Sequence, residues 1–389
     1  MKTLLRATTD ILGDLIAFQT VSSDSNLEMI AYLADRLEIC GAKVDLFLEP
    51  SGHKANLFAT LGPEAPGGIV LSGHSDVVPV TDQPWSTDPF KMVEKDGKLY
   101  GRGTCDMKGF IAATIALAPQ FALSAPNRPI HFAFTYDEEV GCVGAGHLAE
   151  ALKARELRPS VAIIGEPTEM RIIEGHKGCH EYSTYIQGLE GHGSAPDLGV
   201  NAVEYAAQYV ARLLLLKDKL RGMAPKDSLF DPPWTTINVG ALHGGSAHNV
   251  IAPKAQIDWE MRPVTAADAR FVKEDLRAFC NEVLLPAMQS VHPEAAITTE
   301  VIGEVVGLLP QSDNEARQIV AELTGCNDTD TVPFGTEAGI FQEIGMDVVV
   351  CGPGSIRQAH KADEYLALSE LDSCLKMLGG LATRLGSRT

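Results

Sequence analysis

The sequence predicts an α/β fold with a mostly parallel central sheet, helices on both faces, and a smaller α+β domain inserted into it. Residues 68–73 (GIVLSG), 130–136 (IHFAFTY), 161–165 (VAIIG) and 348–352 (VVVCG) are continuous apolar runs of strand length bounded by turn residues. Such runs read as strands buried on both faces. Helical patterns alternate with them, as in an α/β core. Past about Cys179 the texture shifts to alternating strands and amphipathic helices, and 389 residues exceed the size at which single cores stop growing.

Along the chain, Thr8 and Thr9 are placed to cap a helix with apolar positions Ile11, Leu12, Leu15, Ile16 and Phe18. Asn26 starts a second helix that reaches Cys40 and stops at Gly41. Segments 43–48 and 56–60 are strand-like, and strand 68–73 runs into His74-Ser75-Asp76. A loop rich in Pro, Trp and Asp follows, then GRGTCDMKG (101–109), which opens onto a helix from Phe110 to about Leu117. Pro119 breaks the apolar run 110–123, so no segment is expected to reach the ~20 apolar residues of a membrane helix. Strand 130–136 runs into Asp137-Glu138-Glu139, and 161–165 into Glu166.

The inserted part reads as a strand at 181–187, a helix at 201–217, strands at 235–242 and 255–261, and a helix at 266–285. This β-α-β-β-α unit suggests a sheet with helices on one face. From about Ala296 the α/β pattern returns; 348–352 leads through a glycine-rich loop to His360, and a helix from Ser369 ends the chain. The expected division is a catalytic domain at 1–179 and 295–389, with a lid or dimerisation domain at 180–294.

The net charge of -19, without a basic patch, disfavours nucleic acid and anionic membrane as partners. Eight cysteines are spaced singly with no C-x-x-C pair, which argues against a thiolate zinc knuckle or disulfide framework and for a reducing cytoplasm. Arg6, Asp10 and Asp14 interrupt any signal-peptide apolar stretch.

In open α/β sheets the ligand crevice lies outside the carboxyl ends of the strands. The polar groups placed there converge: His74, Asp76, Asp106, Glu138, Glu139, Glu166 and His360. A single histidine at a strand end is ordinarily a core or solvated residue, but an ordered set of imidazoles and carboxylates without thiolate suits Zn²⁺, Co²⁺ or Mn²⁺. The set exceeds what one catalytic zinc needs and suits two ions ~3.5–4 Å apart that share a carboxylate. Of the adjacent Glu138 and Glu139, one can bind metal and the other remain a base.

The strings GHSDVVP, DGKLYGRGTCDMKG, DEEVGCVGAGH, IIGEPT and GPGSIRQAHKADEY resemble, in order and over nearly the whole chain, the dinuclear zinc amidohydrolases. That group includes acetylornithine deacetylase, succinyl-diaminopimelate desuccinylase, aminoacylase and glutamate carboxypeptidases. IIGEPT, His176-Lys177-Gly178 and Gly199 to Ala202 look most like its acetylornithine deacetylase branch. The resemblance implies that Asp106 bridges two ions, with His74 and Glu166 completing one site and Glu139 and His360 the other. It implies that Asp76 hydrogen-bonds His74, that Glu138 takes a proton from a bridging water and passes it to the leaving amine, and that Asp106–Met107 is cis.

His192 matches a histidine that reaches a partner subunit's site and steadies an oxyanion. Asn249 and Arg262 match groups that close over substrate, Arg262 gripping an α-carboxylate. Thr336 and Glu337 fall on a substrate-facing loop; Glu337 is either a reader of a substrate ammonium or an ordinary acid at a helix start. Gly335 and Gly193 depart from the branch's common Cys and Ser and bear on substrate preference, not hydrolysis. The implied reaction is hydrolysis of N²-acetyl-L-ornithine to L-ornithine and acetate, by a homodimer joined through the inserted domain. The alternatives are the same chemistry on another N-acyl amino acid, N-succinyl-diaminopimelate included, or a metal-binding dimer without catalysis.

Overall fold

The computed structural model describes residues 2–124, 128–155 and 158–386. The chain opens with α1 (Lys2–Ala17), α2 (Leu27–Ile39), β1 (Lys43–Leu48), β2 (Ala55–Leu61), β3 (Ile69–His74), β4 (Val93–Lys95) and β5 (Lys98–Tyr100). Next come α3 (Gly109–Ser124), β6 (Ile130–Thr135), α4 (Val143–Lys153), β7 (Val161–Pro167) and β8 (Ile172–His176). The middle third holds β9 (Cys179–Gln187), β10 (Gly191–His192), α5 (Ala202–Gly222), β11 (Thr236–Gly244), β12 (Val250–Ile251), β13 (Lys254–Arg262), α6 (Ala266–Phe279), α7 (Leu285–Gln289) and β14 (Ala296–Val305). The last part holds α8 (Glu315–Thr324), β15 (Thr329–Val332), α9 (Ala338–Glu343), β16 (Asp347–Gly352), β17 (Tyr365–Ala367) and α10 (Leu368–Gly386). These elements form two units, one of Met1–Gly175, Leu308–Thr331 and Thr336–Thr389, the other of His176–Gly307 and Val332–Gly335.

The first unit is built on a mixed sheet of order β1-β2-β6-β3-β7-β16-β8-β15. β6, β3, β7 and β16 are mutually parallel and form its centre; β2 pairs antiparallel with β6, and β1 antiparallel with β2. The central strands are the four apolar runs of the sequence. β3, β6 and β7 are buried at every position and β16 at all but its first, because helices cover both faces. α3 packs against α1 and α10, joining Leu12, Leu15, Phe110, Ile111, Leu378 and Leu381 in one core.

Two local expectations give way to tertiary packing. Thr8 and Thr9 lie inside α1, their hydroxyls donating to Leu4 O and Leu5 O at 2.9 Å, so they do not cap it. α3 does not stop near Leu117 but runs through Pro119 to Ser124. The stretch Thr104–Ser124 is therefore long and apolar enough to cross a membrane by length and composition, but it is mostly buried inside the protein as a core helix. The N-cap Asn26 makes no cap bond; its amide instead pairs with the main chain of Ala55 and with Ser75 Oγ.

The second unit has an antiparallel sheet of order β11-β13-β9-β14, with α5 packed on β9, β11 and β13. Alternate residues of β13 are buried, and Trp259, Tyr182, Leu213 and Val272 share a core. β14 corrects the reading that α/β pattern resumes at about Ala296: it pairs with β9 as an edge strand of this sheet.

Candidate metal centre

Each member of the predicted polar set in the first unit sits just past a strand or on a turn held by one. β3 ends on His74, and Asp76 follows two residues later. The turn Thr104–Lys108 before α3 carries Asp106, and the Asp106–Met107 bond is cis. β6 leads into Asp137, whose φ of 53° turns the chain so that Glu138 and Glu139 follow. β7 carries Glu166. Gly165 before it has to be glycine, since a Cβ there would meet the Phe110 ring at 2.0 Å. His360 lies in the loop after β16 at φ 61°.

The side chains converge around Asp106. Its Oδ1 is 3.0 Å from His74 Nε2, and its Oδ2 is 3.4 Å from His360 Nε2. His74 Nε2 is 3.7 Å from Glu166 Oε1, and His360 Nε2 is 3.0 Å from Glu139 Oε2. Glu166 Oε1 is buried with no hydrogen-bond partner among the described residues, an expensive arrangement for a carboxylate unless a cation faces it. One carboxylate with an imidazole on each oxygen, and a further carboxylate behind each imidazole, fits two divalent ions.

The charges respond accordingly. Burial would lower the pKa of His74, but its bonds to Asp106 and Asp76 hold it well above the usual imidazole value. His360 is raised to about 10 by Asp106 and Glu139. Burial acts to raise Asp106, but the two imidazoles hold it below the usual carboxylate range. Burial, then Asp106, pushes Glu166 and Glu139 up. Glu138 is raised to about 8, by burial first and by Glu139 and Asp106 against the pull of His74. These are groups tuned to exchange protons for metal charge.

Asp76 meets the far nitrogen of His74, as expected, and its main chain is the nearer partner. His74 Nδ1 lies 2.9 Å from the main-chain oxygen of Asp76 and 3.5 Å from its carboxylate. The carboxylate also accepts the amides of Glu138 and Glu139 at 3.1 and 3.3 Å and the Ser22 hydroxyl at 2.7 Å. It thus holds the Glu138–Glu139 turn, which Lys54 grips from the other side through Asp137 at 2.6 Å. Glu337 takes the second of its two expected roles, an acid at a helix start, immediately before α9. It is fully buried and accepts the hydroxyls of Ser72 on β3 and Thr135 on β6 at 2.5 and 2.7 Å, so it is not free to read a substrate ammonium. Thr336 is buried beside it, its Oγ1 accepting the amide of Ala338.

The remaining predicted residues belong to the second unit. His192 is exposed, its Nδ1 2.7 Å from Ser194 Oγ. The short β10–β12 ladder sets it beside the exposed Asn249, whose carbonyl accepts the Gly193 amide at 2.8 Å. Arg262, at the far end of β13, is half-buried and pairs with Glu260 at 2.8 Å. Cys179, Glu181 and Glu260 also lie within donor distance of one another, but the Arg262 cation already occupies that cluster. The sequence reading gave no role to Ser22, Lys54 or Cys142, whose thiol lies 3.4 Å from Glu138 Oε1; nothing local in the sequence marks these partners.

Residues 70–384 match peptidase family M20/M25/M40. The chain is 36% identical over 373 residues to the acetylornithine deacetylase of Klebsiella pneumoniae (strain 342), covering 94% of each. Its fold is similar to that of a Staphylococcus aureus tripeptidase, with a TM-score of 0.74, 21% identity and 99% of each chain covered. The Bacillus subtilis YXEP protein, a dinuclear metal-binding peptidase of the M20 family, is similar with a TM-score of 0.63, 16% identity and 99% of each chain covered.

Proposed function

The chain belongs to peptidase family M20/M25/M40 and is a metal-dependent hydrolase acting on amides; from this premise we propose that it removes the acetyl group of N²-acetyl-L-ornithine, releasing L-ornithine and acetate. The observation that carries the chemistry is Asp106, one oxygen directed at His74 and the other at His360. His74, Asp106 and Glu166 would hold one divalent ion, and Asp106, Glu139 and His360 a second. Zn²⁺ suits these donors, and Co²⁺ and Mn²⁺ fit the same set. Bound ions of this kind polarise an acyl carbonyl and lower the pKa of a water.

The protein's own groups do the rest of the work in this reading. Glu138, held by the Asp76 carboxylate through its amide, takes a proton from the attacking water on a carboxylate oxygen and delivers it to the departing amine. His192 steadies the oxyanion, in a partner subunit's site. Asn249 and Arg262 close on the substrate, with Arg262 exchanging Glu260 for the substrate carboxylate. The second unit then serves as lid and dimerisation domain in a cytoplasmic homodimer. The acetylornithine assignment draws its support from the full-length similarity to the Klebsiella enzyme.

The test is kcat/KM on Zn²⁺- or Co²⁺-loaded protein for N-acetyl-L-ornithine, N-acetyl-L-methionine, N-acetyl-L-glutamate and N-succinyl-LL-diaminopimelate in parallel. A lead for acetylornithine supports the assignment. A lead for another of the four overturns the substrate and keeps the chemistry, while inactivity on all four with both ions bound overturns the acetylornithine assignment and brings the non-catalytic dimer forward.

A further inference from the structure

Two ligands of the proposed centre, Asp106 and His360, come from loops far apart in sequence, and something has to set their separation. Glu364 lies four residues past His360 and is 1% exposed. Its Oε1 accepts the amides of Cys105 and Asp106 at 2.9 and 3.1 Å. Its Oε2 accepts the amide of Gly103 at 3.0 Å and Arg102 Nη1 at 2.7 Å. Four donors thus saturate one carboxylate, three of them main-chain amides of the turn that carries Asp106. The Gly101 amide adds a bond to the Glu364 carbonyl at 3.0 Å.

Arg102 extends the connection. Equally buried, it faces the Trp85 ring at 5.1 Å and donates from Nη2 to Gln83 Oε1 at 2.6 Å. Gln83 in turn donates from Nε2 to the carbonyl of His360 itself at 3.0 Å. One loop further, Ser86 donates to Asp363 through its amide and hydroxyl at 2.9 and 2.7 Å. The Pro- and Trp-rich loop that had no evident task in the sequence therefore braces the His360 turn.

We propose that Glu364, with Arg102 and Gln83, is the positioning device of the metal centre: it couples the Asp106 turn to the His360 turn and fixes the span across which Asp106 faces both imidazoles. The proposal rests on the two-ion reading. A carboxylate is required because only an acceptor with two charged oxygens can take three amides and a guanidinium together. Glu364 touches no reacting atom; it acts through the ligands.

A purely structural role and a positioning role separate in metal binding. Zn²⁺ affinity is measured by chelator competition for wild type, Glu364→Gln and Gln83→Ala, alongside Tm with and without metal. Wild type is expected to bind two ions. E364Q is expected to bind at least one of them about 10–100-fold more weakly, as loss of residues that orient metal ligands does. Q83A, a change on a partly exposed loop, is expected to weaken the His360 ion preferentially, and it carries the contrast should E364Q not fold. Both variants should lose part of the metal-induced rise in Tm. Wild-type Zn²⁺ affinities in both variants, whatever happens to the metal-free Tm, overturn the positioning role alone. Fewer than two ions in wild type overturn the two-ion reading and this proposal with it.

Discussion

Glu138, half-buried, and Glu337, fully buried, are acids from sequence-distant segments, and their surroundings give them opposite work. Glu337 has its carboxylate oxygens on Ser72 and Thr135 and ties the ends of β3 and β6 together. Glu337→Ala would strand the buried Thr135 hydroxyl and leave Ser72 only its longer bond to Ala133 O at 3.3 Å, so a loss of roughly 1–3 kcal/mol is expected by urea unfolding of the metal-free protein. An unchanged midpoint would contradict that role. Among the described residues, Glu138 has only the weak Cys142 thiol donor on its Oε1, and it sits against the His74–Asp106 cluster with a pKa raised to about 8. Glu138→Gln is expected to lower kcat by roughly 10²–10⁴-fold while Zn²⁺ stoichiometry stays at the wild-type level. Turnover near wild type would remove Glu138 as the base. The type and chain position of these acids were legible in the sequence; which hydroxyls they meet was not, since Ser72 and Glu337 are 265 residues apart.

Among the elements, β7 and α3 show how packing places a ligand. Glu166 lies one residue past Gly165, where the Phe110 ring of α3 presses on the main chain. Gly165→Ala would force ring and strand apart. It is expected to destabilise the metal-free protein by roughly 1–3 kcal/mol and also to weaken Zn²⁺ binding, because Glu166 moves with its strand. Stability loss without any change in Zn²⁺ affinity would show that β7 adjusts without moving its ligand. α3 itself could not be bounded from sequence. Proline disfavours a helix interior through a lost amide bond, but burial of Phe110, Ile111, Leu117 and Phe121 on several sides holds the helix together past Pro119. β14 escaped the sequence reading for a related reason: exposed at most positions, it lacks the alternation that marks a half-buried strand, and only its pairing with β9 defines it.

For the molecule as a whole, the metal centre couples stability to pH. His74 and His360 have folded-state pKa values raised above the ordinary ~6.5. The stability they lend the metal-free protein is fully present below that value and is lost as pH rises through the folded one. Glu138 and Glu166, also raised, act in the same direction. Metal binding requires these ligands deprotonated. The gap in Tm between Zn²⁺-loaded and metal-free protein is therefore expected to widen from pH 6.5 to 8.5, a difference in which titrating groups remote from the centre cancel. A gap that stays constant across this range would mean the raised imidazoles do not face the ions. By itself the sequence determined the α/β class, the four buried strands and the order of donors at their ends, because strand burial and donor type are written locally in residue identity. Tertiary structure decided which imidazole faces which oxygen of Asp106, that the carbonyl of Asp76 and not its carboxylate lies nearest His74, and that Glu364 binds the Asp106 turn. Each of those depends on contacts between segments distant in the chain, and no local pattern encodes a partner's position.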